Sequence, residues 1–124
     1  MRKNNFTKIN NYGFIGNLQT TALVSKQGDI DFICFPNFDS PTVFATILDE
    51  DKGGCFSIEP LIENLEYNQF YITDTANLIT RFSSKDGMGE ICDTMVIDEK
   101  DHKFKLLRKI TTTYGNVSYR VKCK

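Results

Sequence analysis

A chain of 124 residues, 40% hydrophobic and 25% charged, is long enough to bury a core and holds one domain or part of one. Fifteen basic against sixteen acidic residues, with no basic stripe, exclude binding to a phosphate backbone as the main activity. A single histidine, His102, leaves little for a His-based zinc site or a Ser-His-Asp triad, and no apolar run approaches the roughly 20 residues of a membrane-spanning helix.

The hydrophobic period is two almost throughout, which predicts strands. Residues 22–25 and 30–35 form a hairpin around Gln27-Gly28. Its second strand begins half polar and becomes apolar on both faces, as a strand does on entering a sandwich interior. Pro36 ends it, because proline cannot donate to a central ladder. Asn37, Phe38, Asp39, Ser40 and Pro41 then form a loop rich in side-chain caps and bounded by two prolines. Residues 41–49 leave the strand pattern. Val43, Phe44, Ile47 and Leu48 follow a helical spacing, which predicts one short helical turn with Ser40 as N-cap and Pro41 in first position.

Asp29 and Asp31 fall on one strand face, roughly 7 Å apart, a spacing that suits an inverting carboxylate pair but occurs on many solvated strands. Tyr67, Phe70 and Tyr71 beside Asn68 and Gln69 make the best sugar-binding cluster, and a half-buried strand explains them equally well. Downstream, the turns fix a register. A two-residue turn at Asp86-Gly87 places Phe82 opposite Ile91, Thr80 opposite Asp93 and Leu78 opposite Met95. Across the connector 98–103, Ile97 faces Phe104, Met95 faces Leu106 and Ile91 faces Ile110. A turn at Gly115-Asn116 then sets Ile110 beside Val121 and Thr112 beside Tyr119. One apolar face runs across these four strands, and it holds a single polar pair: Asp93 opposite Arg108, expected as a partly buried ion pair that fixes register.

Cys34, Cys55, Cys92 and Cys123 are far apart and read as small buried hydrophobes in a reducing compartment. The start of the chain is too polar for a secretory signal, so the expected location is cytoplasmic, with no membrane, nucleic acid, metal or cofactor partner.

The first half carries a longer pattern: Tyr12-Gly13-Phe14-Ile15-Gly16-Asn17, Thr20-Thr21-Ala22-Leu23-Val24-Ser25, Gly28-Asp29-Ile30-Asp31-Phe32-Ile33-Cys34-Phe35-Pro36, Phe38-Asp39-Ser40-Pro41, Phe44-Ala45, Leu48-Asp49 and Gly53-Gly54. It resembles the amino-terminal β-domain of prokaryotic glycoside hydrolase family 15, the glucoamylase and trehalase-like enzymes, over most of residues 12–58. Residues 71–110 resemble the following stretch more loosely, at Tyr71, Thr75, Leu78, Thr80, Phe82, Gly87, Asp93 and Arg108. Three positions depart from the family pattern: Asn37 replaces an arginine, Asn17 an aspartate and Phe32 a tryptophan.

The resemblance implies a mainly β fold, an antiparallel sandwich of the supersandwich kind present in part, in a single domain spanning residues 1–124. In the enzymes it resembles, catalysis belongs to a following α/α barrel, where two glutamates invert the anomeric centre. The expected function is therefore that of a non-catalytic domain that packs on that barrel and shapes its entrance, with no catalytic residue of its own. The barrel is the expected partner and an oligosaccharide the other candidate. Asn37, Phe38, Asp39, Ser40 and Pro41 are the expected contact loop. A free-standing sugar- or protein-binding module is the alternative. The chain itself is expected to be a fragment, a truncated gene product or a reduced relative.

Overall fold

The computed structural model describes residues 12–16, 21–34, 42–45, 54–73, 75–98 and 103–123. Among the described residues ten strands follow one another: β1 (Gly13–Gly16), β2 (Thr21–Val24), β3 (Ile30–Cys34), β4 (Thr42–Ala45), β5 (Phe56–Pro60), β6 (Glu66–Tyr71), β7 (Leu78–Ser83), β8 (Met88–Asp98), β9 (Lys103–Tyr114) and β10 (Tyr119–Cys123). They form two antiparallel sheets. One runs in the order β1-β2-β3-β5-β10, with β4 also paired to β3; the other runs β6-β7-β8-β9.

The sheets face each other as a sandwich, and period-two alternation supplies both inner faces. At one end Ile15, Ala22, Val24, Ile30 and Ile33 from the first sheet meet Leu78 from the second. At the other, Ile58 meets Phe82 and Ile91, with Val117 and Tyr119 packed alongside. Phe56 touches both clusters and joins them. Tyr71 closes one exposed edge. Its hydroxyl accepts from the Phe14 amide at 2.8 Å and donates to the Phe14 carbonyl at 2.9 Å, so an edge pair on β1 is not left open. Among the described residues no helix is long and apolar enough to cross a membrane.

Four expectations are corrected here. Residues 42–45 are a strand, not part of a helical turn; Thr42, Val43 and Phe44 are β-branched or aromatic, and β3 offers them a ladder. Residues 46–49 lie outside the described residues. The β7–β8 turn is centred on Lys85-Asp86 rather than Asp86-Gly87. The Ser84 hydroxyl accepts from the Asp86 amide at 3.1 Å, and the Ser84 amide donates to the Gly87 carbonyl at 2.9 Å. The pairing shifts by two residues, setting Leu78 opposite Asp93, Thr80 opposite Ile91 and Phe82 opposite Gly89. An even shift leaves every side chain on its expected face.

The third correction concerns β10, which crosses to the other sheet and pairs with β5, so β6 is the fourth strand of the face instead. Gly115 turns the chain, at φ 74°, close against the β7–β8 turn, and Val117 tucks under it. Tyr119 still reaches back to share a 2.6 Å hydrogen bond with Thr112. The fourth concerns the cysteines: Cys123 is exposed and Cys55 and Cys92 only partly buried, so none of these three is a sealed core residue.

Gly115 gives a test of the crossover. A Cβ there would lie 2.4 Å from the Asp86 carbonyl oxygen. Gly115→Ala and Gly115→Asn should therefore both destabilise by about 2 kcal/mol or more in urea unfolding. An ordinary hairpin turn tolerates Asn at positive φ, so a neutral Asn variant would contradict this path.

Candidate functional site

Asp93 and Arg108 are register partners on β8 and β9, and both point between the sheets. Arg108 Nε donates to Asp93 Oδ1 at 2.6 Å, and Nη2 reaches Oδ2 at 3.3 Å. The side chains are 0% and 3% exposed, aspartate first. The guanidinium then crosses the sandwich. Nη1 donates to the Phe56 carbonyl at 2.9 Å, Nη2 donates to the Gly28 carbonyl, and the Phe56 ring lies 5.0 Å from Cζ. One cation ties two strands of one sheet to two segments of the other.

Those two segments are the point where the first sheet splits. β3 and β5 share one pair only, Ile30 with Phe56. Continuing that register would pair Asp29 with Ser57, Gly28 with Ile58 and Gln27 with Glu59. The chain instead folds into a tight turn: Gly28, at φ 84°, donates its amide to the Ser25 carbonyl at 2.9 Å, and Ser25 donates to the Asp29 carbonyl at 2.8 Å. Gln69 holds the turn from the opposite sheet, its Nε2 donating to the Ser25 carbonyl at 2.9 Å and to Thr80 Oγ1 at 3.0 Å.

The parting strands leave a cleft of about 560 Å³. Ile58 and Tyr67 line it on the apolar side; Gln27, Asp29, Glu59, Arg120 and Lys122 supply the polar rim. Burial, with the carboxylates of Asp29 and Glu59 nearby, pushes the Tyr67 hydroxyl up to about 12, so at neutral pH it remains a phenol able to donate. Glu59 and Arg120 approach to 3.6 Å but are 47% and 68% exposed, a loose pair.

The structure separates the residues that the sequence placed together. Asp29 lines the cleft, whereas Asp31 is 0% exposed and accepts the Tyr12 hydroxyl at 2.7 Å. A bulge in the β2–β3 pairing, where Leu23 and Val24 face Phe32 and Ile30, breaks the alternation that would have put both carboxylates on one face. The aromatic cluster on β6 divides as well. Tyr67 packs on the core cluster, Gln69 bonds across the sandwich and Tyr71 serves the β1 edge, while the Phe70 ring lies under Arg81 at 5.0 Å. Asn37, Phe38, Asp39, Ser40 and Pro41 lie outside the described residues.

Sequence reasoning missed Gln27, Glu59, Arg120 and Lys122 as a group. The signal was present in the polar alternation of 57–59 and 118–122, but only the β5–β10 pairing brings these stretches together. Among the described residues no three His, Cys, Asp or Glu side chains are grouped to hold a metal ion.

The buried pair makes two predictions. Arg108→Met strands a buried carboxylate and should cost about 3–5 kcal/mol in urea unfolding; adding Asp93→Leu should recover part of that loss. Burial pushes the Asp93 carboxyl above its ordinary 3.8, against the opposing pull of the Arg108 hydrogen bonds and charge. The folded chain therefore binds the extra proton. That stabilising contribution is complete below 3.8 and is lost as pH rises through the raised value. Wild type should lose stability relative to Asp93→Asn over that rise, and a relative gain would show that the ion pair outweighs burial.

Comparison with known proteins places this geometry. The trehalase-like, N-terminal family matches residues 1–122. Trehalase 1 of Sulfolobus acidocaldarius is 44% identical over 100 residues, which is 81% of this chain and 17% of that protein. A trehalase of Thermoplasma volcanium is 46% identical over 62% of this chain and 12% of its own length, and one of Mycobacterium tuberculosis is 25% identical over 98% and 20%. The chain thus spans no more than a fifth of the length of these relatives. No solved structure matches it. A match over nearly every residue settles the family: the chain belongs to the trehalase-like N-terminal domains.

Proposed function

We propose that this chain is the non-catalytic amino-terminal domain of a cytoplasmic trehalase-like glycoside hydrolase, which packs on an α/α-barrel catalytic domain and shapes its substrate entrance. The observation that carries the reading is the pairing of a family match over residues 1–122 with relatives named trehalases that are several times longer. Inverting hydrolysis of a glycoside requires two carboxyl groups that both reach the substrate. The burial of Asp31 beneath Tyr12 removes one member of the pair that the sequence offered. In this reading Asp93 and Arg108 have a structural role, holding the sheets in register. The contact segment is Asn37, Phe38, Asp39, Ser40 and Pro41; Pro36 before it and Pro41 at its end limit its freedom before a partner arrives.

The test is complementation in trans. Trehalase 1 of Sulfolobus acidocaldarius, lacking the stretch that matches this chain, should have little activity on trehalose. Adding the 124-residue chain should restore a measurable part of it, whereas the chain alone should stay at the blank. Asp39→Ala in the added chain should weaken the rescue. Turnover by the chain alone that is lost on Asp29→Asn would overturn the non-catalytic reading, and failure to bind the truncated enzyme would favour a free-standing module.

A further inference from the structure

We infer that the cleft between the β2–β3 turn and β5 is a binding site for a neutral saccharide of disaccharide size. Its volume, about 560 Å³, lies within the range of small-molecule pockets, roughly 300–1,000 Å³. Its chemistry narrows the class of ligand.

The rim carries two carboxylates, Asp29 and Glu59, and two cations, Arg120 and Lys122. Their charges cancel. A phosphorylated ligand would have to face the carboxylates, and a cation would meet the guanidinium and ammonium groups; either desolvates a charge against a like neighbour. A polyhydroxylated neutral ligand avoids both penalties, because each hydroxyl both donates and accepts. Carboxylates and the Gln27 carbonyl accept from such groups, while Arg120, Lys122 and the Gln27 amide donate to them. The loose Glu59–Arg120 contact, at 3.6 Å, can open so that the two ends take adjacent hydroxyls of one ring. Ile58 is sealed in the core behind the cleft, so the half-buried Tyr67 gives the apolar surface for the C–H face of a sugar ring, and its phenol keeps its proton.

The walls are held in place before any ligand arrives. Arg108 fixes the carbonyls of Gly28 and Phe56 at the head of the split, and Gln69 fixes Ser25. A preorganised cleft loses less entropy on binding than one that must close. This inference does not depend on how the domain meets a barrel, since every residue involved belongs to this chain.

Amide chemical shifts of the 124-residue chain, titrated with trehalose and separately with maltose, test it; glucose 6-phosphate is the anionic comparison. The expected result is saturable shifts at Gln27, Asp29, Glu59, Tyr67 and Arg120 with at least one disaccharide, and weaker binding of the phosphate ester. Glu59→Gln, an exposed change that spares the fold, should weaken disaccharide binding about tenfold, and Tyr67→Phe, which keeps the packing, should do likewise. No saturable shift with either disaccharide, shifts confined to another surface, tighter binding of glucose 6-phosphate, or unchanged affinity in both variants would each overturn the site. Rescue of the truncated trehalase together with an empty cleft would discard this inference and leave the proposed function standing.

Discussion

The Arg108 guanidinium is the group on which the two sheets depend. It carries one charge into a space where it is 3% exposed, which is costly unless its donors are satisfied. Asp93 takes two of its hydrogen bonds, and backbone carbonyls at Phe56 and Gly28 take two more. A lysine could neutralise Asp93, but its compact ammonium lacks the planar fork that reaches both carbonyls while also meeting the carboxylate. The balance at Asp93 shows what such a pair contributes. Burial outweighs the attraction of Arg108 and holds the carboxyl above its ordinary value. The pair therefore adds less to stability than its short distance implies. Its contribution is to position: two strands of one sheet and two segments of the other are fixed relative to one point.

The cleft follows from that fixing. A sheet that splits after a single pair would ordinarily expose unpaired backbone and drift in width. Here the carbonyls on both sides of the split bond the same side chain, so the strands part from a set position. The tight turn closed by Gly28 then bends residues 25–29 away from β5, and a second tie from Gln69 keeps it there. Tyr67, from the opposite sheet, is left facing the gap. A structural ion pair and a ligand-sized cleft are thus parts of one construction, linked through backbone rather than through a shared side chain.

What the sequence disclosed depended on how local the deciding force was. The adjacency of Asp93 and Arg108 was legible because β8 and β9 are long and alternate regularly, so turn arithmetic across 98–103 had little freedom. The centre of the β7–β8 turn was not. Asp86-Gly87 is a strong turn signal, but the Ser84 hydroxyl bonding the Asp86 amide moved the centre by one position. The destination of β10 was hidden for a different reason. Val117, Tyr119 and Val121 alternate equally well in either sheet, and only Gly115 against the Asp86 carbonyl, with Val117 beneath the turn, sends them across. The helical spacing of Val43, Phe44, Ile47 and Leu48 was genuine, but the open ladder of β3 outweighed it at Thr42–Ala45. The rim of the cleft was least legible, since it gathers residues from hairpins distant in sequence.

The β7–β8 hairpin shows the physical rule behind its shift. Its register differed from expectation by two residues, and the buried faces stayed buried: Phe82, Ile91, Leu78 and Asp93 all point inward as the alternation required. A one-residue slip would have turned Leu78 and Phe82 out to water, at roughly 1.5–3 kcal/mol for each large side chain exposed. A two-residue slip costs only the difference between one set of cross-strand neighbours and another, on the order of 0.2–1 kcal/mol per pair. Hydrophobic burial therefore sets the parity of each strand, and weaker local bonds choose among registers of the same parity. Asp93 meets Arg108 because the polar pair shares that parity with its apolar neighbours. Once inside, the absence of water makes the pairing specific: no nearby inward position on β8 offers Arg108 a carboxylate, since Ile91 and Met95 flank Asp93 on that face.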